Sequence, residues 1–162
     1  MTIYANPAVS RNVRNTGNAS DLTVNVFVFD LANTAYRPAS IGVGDQIQVG
    51  VVPAGDILVP HLCRYDSAVV DSNGTPTGSA SLGTIGTPAA LKATTAVGAT
   101  QLLTAEDFAL ATAGTIGDPN ADVPIYLTFT AAVATLAATG KITFVQITRA
   151  AREDGIDGAA VG

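Results

Sequence analysis

The chain has 162 residues, 48% of them hydrophobic and 13% charged, with a formal net charge of −5. A chain of this length forms one domain, which buries about 70% of the surface that its unfolded chain exposes. The acidic balance argues against a general nucleic-acid binder, because such proteins need a basic face to displace counterions from phosphates. The fraction of charged residues is about half of the usual value, which indicates that much of the surface is buried within the fold or against a partner.

Cysteine usage and hydropathy indicate a soluble protein. The single cysteine, Cys63, excludes an internal disulfide, so the fold does not depend on an oxidising compartment. No stretch approaches the ~20 apolar residues that a membrane-spanning helix needs. The N-terminus has no apolar core of signal-peptide length. We therefore expect synthesis in the cytoplasm and no association with a membrane.

Residues 1–20 are predicted to form an extended N-terminal arm. They lack helical spacing and contain Pro7, Gly17 and four asparagines. The arm carries Arg11 and Arg14 and no acid. This charge suits contact with an acidic neighbouring subunit, although a solvated terminus explains two arginines about as well.

The body of the protein, residues 21–150, begins with a strand at 22–29. Four aliphatic residues share one face of this strand, and Phe27 and Phe29 extend the other face. A strand that is apolar on both faces is expected to be covered by another sheet or another subunit.

The next two predicted strands are joined by a tight turn at residues 53–56, Pro-Ala-Gly-Asp. The first strand, 45–52, alternates strictly, and its predicted apolar face is Ile47, Val49 and Val51. The second, 57–65, is predicted as one continuous strand. Its Pro60 cannot donate a ladder hydrogen bond, so we expect this strand at an edge or with a bulge. Its side chains on one face are Ile57, Val59, His61, Cys63 and Tyr65.

Residues 71–83, DSNGTPTGSASLG, contain almost no large side chains and raise the question of a ligand site. A calcium loop fails because Thr75 stands at its fifth position and Leu82 at its twelfth. A phosphate loop fails because Thr84 stands where the essential lysine belongs. We interpret the segment as a turn built from Asn-Gly and Thr-Pro, whose small residues permit close packing before a short strand at 79–85.

The C-terminal third has the clearest pattern, with alternating strands at 123–130 and 141–149. A short helical turn capped by Thr104 is predicted before them. Residues 151–162 lose the alternation and are predicted to form a tail that is mobile or bound to a partner. Many short strands without an amphipathic helix predict an all-β fold, an antiparallel β-sandwich or jelly roll with an extended N-terminal arm.

No group of residues predicts catalysis, a cofactor or a metal. His61 and Cys63 lie two residues apart on one strand, roughly 6.5–7 Å, which is too far for a nucleophile and its base. One histidine and one cysteine also provide too few soft ligands for zinc. A glycosidase would need a convergent acid pair, and most acids here are turn aspartates. A glycan-binding module would need exposed aromatic rings, for which the candidates are Tyr36, Tyr65 and Tyr126.

In residues 53–60 and 73–83 the chain resembles the head decoration, or cement, proteins of tailed bacteriophages. Such proteins have a Pro-Ala-Gly turn entering a strand, then a Gly/Thr-rich link to a Ser-x-x-Leu-Gly strand. They often end in an apolar, Thr-rich hairpin, here Ile125 to Thr130 and Lys141 to Val145. The likeness covers about residues 50–150, and the long arm departs from it.

The resemblance implies a non-enzymatic virion protein that decorates and stabilises the outer surface of a capsid by bridging adjacent capsomers. It implies a homotrimer, made in the host bacterial cytoplasm, whose partner is the major capsid protein. We expect capsid contacts at Tyr4, Arg11 and Arg14 of the arm. We also expect them at Tyr36 and Arg37 of the first long loop, residues 31–44, which follows the first strand. The alternative function is a glycan-binding β-sandwich module of a phage tail, neck or fibre.

Overall fold

The computed structural model describes residues 1–4, 13–14, 22–108 and 116–150. The predicted tail therefore lies outside the described residues, as do Arg11 and most of the arm. The described strands are β1 (Ile3–Tyr4), β2 (Val13–Arg14), β3 (Leu22–Asp30), β4 (Gln46–Val52), β5 (Asp56–Leu58), β6 (Arg64–Ser67), β7 (Ser79–Gly83), β8 (Lys92–Ala96), β9 (Gln101–Leu103), β10 (Val123–Ala131) and β11 (Lys141–Ala150). Two short 3-10 helices span Pro60–Leu62 and Ala105–Asp107.

The strands form two sheets that pack face to face. The first sheet has the order β1-β4-β10-β7-β8, and the second has the order β2-β3-β11-β6-β9, with β5 also paired to β11. Among the described strands every pairing is antiparallel except that of β1 with β4. The sequence-based prediction of an all-β antiparallel sandwich is confirmed.

One hydrophobic core fills the space between the sheets. The first sheet contributes Ile47, Ile125 and Phe129, and the second contributes Phe29 and Phe144, all of them buried. These residues occupy alternate positions of long strands, so each strand turns one apolar face inward. The predicted strands β3, β4, β10 and β11 are confirmed to within one residue at each end.

A bulge changes which residues of β4 face the core. The register of β4 against β10 shifts between Ile125 and Tyr126. Val49 and Gly50 are consequently both buried, and Val52 rather than Val51 belongs to the core. The predicted inward position of Val51 is wrong, because an extra residue in one strand reverses the alternation beyond it.

The predicted continuous strand over residues 57–65 is wrong. β5 ends at Leu58, and a 3-10 helix begins at Pro60 before β6 starts at Arg64. Proline lacks the N–H that a ladder needs and its fixed φ suits the first helical position. The helix closes with a hydrogen bond from the Cys63 N–H to the Pro60 carbonyl, 3.0 Å. His61 is therefore exposed while Cys63 is buried, instead of sharing one strand face.

Two smaller predictions are confirmed. The turn at residues 53–56 is closed by the Asp56 N–H, which donates to the Pro53 carbonyl at 3.0 Å, and Gly55 has a φ of +80°. A residue with a side chain would be strained there. The helical turn Ala105–Asp107 begins after Thr104, whose N–H donates to the Asp107 carboxylate at 3.0 Å.

Candidate interaction surfaces

The described parts of the arm attach to both sheets on the same side of the sandwich. β1 pairs with β4 of the first sheet, and β2 pairs with β3 of the second. The Thr2 N–H donates to the Asp45 carboxylate at 2.6 Å, and the Gln46 N–H donates to the Thr2 carbonyl at 2.9 Å. Hydrogen bonds from the Gly42 and Thr2 N–H groups lower the pKa of Asp45. The arm thus begins as a short edge strand held by a carboxylate.

Two of the predicted arm contacts fall on these edge strands. Tyr4 is partly buried and packs against the hydrophobic core, since it pairs with the inward-facing Ile47. Arg14 pairs with Thr23 through the backbone of β2. Arg11 lies outside the described residues. The structure therefore gives Tyr4 a packing role within its own chain, and capsid contact by the arm stays a prediction.

The two predicted contacts of the first long loop hold that loop in place. The Tyr36 ring meets the Phe29 ring edge to face, with centroids 5.0 Å apart and an interplanar angle of 68°. The Arg37 guanidinium donates to the carbonyls of Leu136 and Ala137, both at 3.3 Å. Each side chain is partly buried, so only part of its surface remains for a partner.

The outer face of the second sheet is apolar at its centre. Val24 and Val26 of β3 and Val145 of β11 point away from the core, because Val145 pairs with Val26 while the neighbouring Phe144 faces inward. We call these three residues the valine face; each is partly exposed. Beyond it, Arg64 and Asp66 of β6 form an exposed ion pair at 3.7 Å. Val24 and Val26 belong to the aliphatic face of the first predicted strand, a strand that we expected to be covered by another sheet or another subunit.

The outer face of the first sheet is polar and uncharged where β4, β10 and β7 lie side by side. The Gln46 amide donates to the Thr128 hydroxyl at 3.0 Å. Ser79 and Thr130 share a hydrogen bond between their hydroxyls at 2.9 Å. The two outer faces of the sandwich therefore differ in chemistry, one apolar and one lined by hydroxyl and amide groups.

A buried carboxylate organises the segment 71–83. Asp71, only 2% exposed, accepts hydrogen bonds from the N–H groups of Asn73, Thr77 and Gly78 at 3.1, 3.0 and 2.8 Å. The chain bends at residues 73–75, and Gly74 is not among the glycines with positive φ. The sequence analysis did not identify Asp71, because its partners are backbone groups that leave no side-chain pattern.

Close packing around this segment is confirmed. A Cβ at Gly78 would lie 2.6 Å from Val133 Cγ2 and 3.0 Å from the Asp71 carboxylate. The Ser72 N–H donates to the Thr135 carbonyl at 3.1 Å, which ties the loop to the connection between β10 and β11. Residues 72–77 themselves are exposed.

The residues considered for chemistry do not form a site. Burial raises the pKa of the Cys63 thiol to about 11, and its Sγ donates to the Val59 carbonyl at 3.4 Å. In the described ranges no three His, Cys, Asp or Glu side chains form a group that could hold a metal ion. The helices found there are too short and too polar to span a membrane.

The aromatic rings considered for a glycan site are mostly buried. Tyr65 is 1% exposed because it pairs with Phe144 on the core side of the second sheet. Tyr126 is 7% exposed and pairs with Gly83, whose outer side is covered by the backbone of residues 87–90. The expectation that both are exposed is wrong, and Tyr36 alone of the three keeps a partly exposed ring.

No protein-family model matches this sequence, and no curated protein matches it. The fold resembles a chain from the capsid of Ralstonia phage GP4, with a TM-score of 0.61 and 23% sequence identity, over 85% of this chain and 90% of that one. It also resembles a chain of the cyanophage Pam1 capsid asymmetric unit, with a TM-score of 0.54 and 16% identity, over 85% of this chain and 91% of that one. The two-sheet fold is therefore one that chains of phage capsids also adopt.

Proposed function

We propose that the protein is a non-enzymatic structural component of a phage virion, which decorates the outside of the capsid and stabilises it by bridging adjacent capsomers. The observation that carries the proposal is the fold. Both similar chains come from phage capsids, and each comparison covers nearly all of both chains. The similar capsid chains are thus close to this one in length.

The composition and the surfaces support a role in extended protein contact. The chain is poor in charge, and both outer sheet faces are uncharged at their centres. A protein partner can cover the valines without burying a polar group, and it can cover the hydroxyl and amide groups at low cost where it hydrogen-bonds to them. Many identical contacts on one shell act together, because a molecule held at one contact rebinds at the others with high effective concentration.

We propose that the valine face packs against a neighbouring copy within a homotrimer. The valines provide apolar area, and the ion pair beside them provides both signs of charge, with the Arg64 and Asp66 side chains 58% and 51% exposed. In a rotationally symmetric ring, Arg64 of one copy can meet Asp66 of the next. Each copy thus offers a cation to one neighbour and an anion to the other, as the unlike contact surfaces of a three-fold ring require.

The trimer is tested by native mass measurement of the protein and two variants. We expect Val145→Glu to yield monomers, because it places a charge in the apolar contact. Thr130→Glu, on the opposite outer face, is the matched control and keeps the trimer. A Val145→Glu protein that remains trimeric rules out the valine face as the contact.

Capsid binding is tested by co-sedimentation with heads that lack the protein. The full chain is expected to sediment with the heads at a fixed ratio to the major capsid protein. A chain lacking residues 1–20 is expected to bind more weakly, since Tyr4, Arg11 and Arg14 are the proposed arm contacts. Full-chain protein that stays in the supernatant contradicts the decoration role, and equal binding without the arm contradicts the arm contacts alone.

A further inference from the structure

Asn73 and Gly74 form the tip of the loop held by Asp71. Both residues are exposed. In the described part of the chain the Asn73 side-chain amide makes no hydrogen bond and the Gly74 N–H donates none. A Cβ built on Gly74 would meet no atom within 4 Å. Neighbouring described residues therefore neither cover nor restrain the two groups.

We propose that Asn73 is a site of spontaneous deamidation, a covalent modification that requires only water. The backbone nitrogen of Gly74 attacks Cγ of Asn73, a C–N bond forms, and the side-chain nitrogen leaves as ammonia. Water then opens the resulting five-membered imide at either carbonyl. One product is aspartate, and the other is isoaspartate, in which the main chain continues through the former side chain.

Glycine at position 74 makes the attack favourable. It has no Cβ to shield its nitrogen, and its backbone reaches conformations that other residues disfavour. Asn73 is the only one of the eight asparagines in the chain that is followed by glycine. The reaction is therefore expected at this one position.

Asn120 provides an internal control in almost the same setting. Its N–H donates to the Asp118 carboxylate at 2.8 Å, as the Asn73 N–H donates to Asp71 at 3.1 Å. Asn120 is also exposed, but Ala121 follows it. The two sites thus share an Asp-x-Asn turn and differ at the attacking residue, which is alanine at the second site and whose N–H there donates to the Asp118 carboxylate at 3.1 Å.

The modification affects the loop that the Asp71 carboxylate holds through backbone hydrogen bonds. Isoaspartate lengthens the main chain by one methylene between Asp71 and Thr77, two residues joined by a hydrogen bond of 3.0 Å. Both products also place a new carboxylate two residues from a buried one. We expect the N–H groups of Thr77 and Gly78 to exchange with solvent faster in the modified protein.

The experiment is incubation of the purified full-length protein in mildly alkaline buffer, followed by peptide mass spectrometry. Replacement of the amide by a carboxyl group is expected at least about tenfold faster at Asn73 than at Asn120, because only Asn73 precedes a glycine. Labelling by an isoaspartate-specific methyltransferase identifies the isomer. The inference does not depend on the proposed virion role.

Two variants isolate the cause. Gly74→Ala is expected to slow the reaction at Asn73 to the rate at Asn120, and the open space at position 74 allows the methyl group without loss of the fold. Ala121→Gly is expected to raise the rate at Asn120. Equal rates at Asn73 and Asn120 in the unmodified sequence, or no effect of Gly74→Ala, would overturn the proposal.

Discussion

At the scale of single residues, Gly50 is required by the packing between the sheets. Gln146 is buried in the core and its amide donates to the Val51 carbonyl at 2.6 Å. A Cβ at Gly50 would lie 2.7 Å from the Gln146 side-chain oxygen and 3.0 Å from the Phe144 ring. We expect Gly50→Ala to lower the free energy of unfolding by about 1–3 kcal/mol through overpacking.

Urea denaturation measures this effect, and Gly86→Ala is the matched control. Gly86 is exposed, and a Cβ there would meet no atom within 4 Å. Its substitution is expected to leave stability nearly unchanged. Equal effects of the two substitutions would contradict the packing described for Gly50.

Asp71 is the residue that organises the loop at 71–83. Asp71→Ala removes the acceptor of three backbone N–H groups, and we expect a loss of about 3 kcal/mol in the free energy of unfolding. Asp71→Asn keeps one oxygen acceptor and should lose less. Amide hydrogen exchange at Thr77 and Gly78 checks the cause: both N–H groups donate to the same Asp71 oxygen, so they should lose protection in Asp71→Ala and keep more of it in Asp71→Asn.

Two buried acids make stability fall at alkaline pH. Burial raises the pKa of Cys63 from 9.0 to about 11 and that of Tyr65 from 10.0 to about 12. The unfolded chain therefore releases these protons first, so the free energy of unfolding is unaffected well below pH 9 and decreases as the pH rises from about 9 to 12. Each pKa unit corresponds to about 1.4 kcal/mol.

Urea unfolding at several pH values from neutral to about 11 measures this slope. The variant Cys63→Ala has no thiol to titrate and is expected to show a shallower decrease above pH 9. An unchanged slope in that variant would mean that Cys63 does not contribute to the alkaline loss of stability.

At the scale of elements, Asp45 holds β1 on the edge of the first sheet. Its carboxylate accepts hydrogen bonds from the Thr2 and Gly42 N–H groups. We expect Asp45→Ala to release β1, measured as faster hydrogen exchange of the Gln46 N–H, which donates to the Thr2 carbonyl. Glu106→Ala, which removes an exposed carboxylate far from β1 in the sequence, is the control and should leave that exchange rate unchanged.

The long strands could be predicted from the sequence, and the breaks between them could not. Alternation defines β3, β10 and β11 because each buries one face over nine or ten residues. The bulge in β4 depends on its pairing with β10, which local alternation does not encode. Pro60 indicates in the sequence that the strand is irregular. Whether the chain forms an edge strand, a bulge or a helix there depends on the segments of the same chain that pack around it.

The candidate surfaces were predicted less completely than the strands. The aliphatic face of β3 was visible in the sequence, since Leu22, Val24, Val26 and Val28 recur at every second position. Tyr36 and Arg37 were chosen as exposed loop residues, but the structure shows that they also contact Phe29 and the carbonyls of Leu136 and Ala137. Such contacts join segments about a hundred residues apart and have no local signature.

At the scale of the whole molecule, the protein combines a two-sheet fold, a low charge and two uncharged outer faces. These properties suit a protein that a partner covers, because no charge is buried unpaired at the centre of either face and the hydroxyl and amide groups can hydrogen-bond to the partner. An arm that begins as an edge strand adds a segment whose few backbone hydrogen bonds are exchanged at small cost for those of a neighbour.

The central claim, that the protein decorates the outside of a phage capsid, is tested most directly by cryo-electron microscopy of heads with and without it. We expect additional density on the outer surface, between capsomers, into which the two-sheet sandwich fits as a trimer. Density inside the shell, density confined to the tail, or identical maps of the two kinds of head would contradict it.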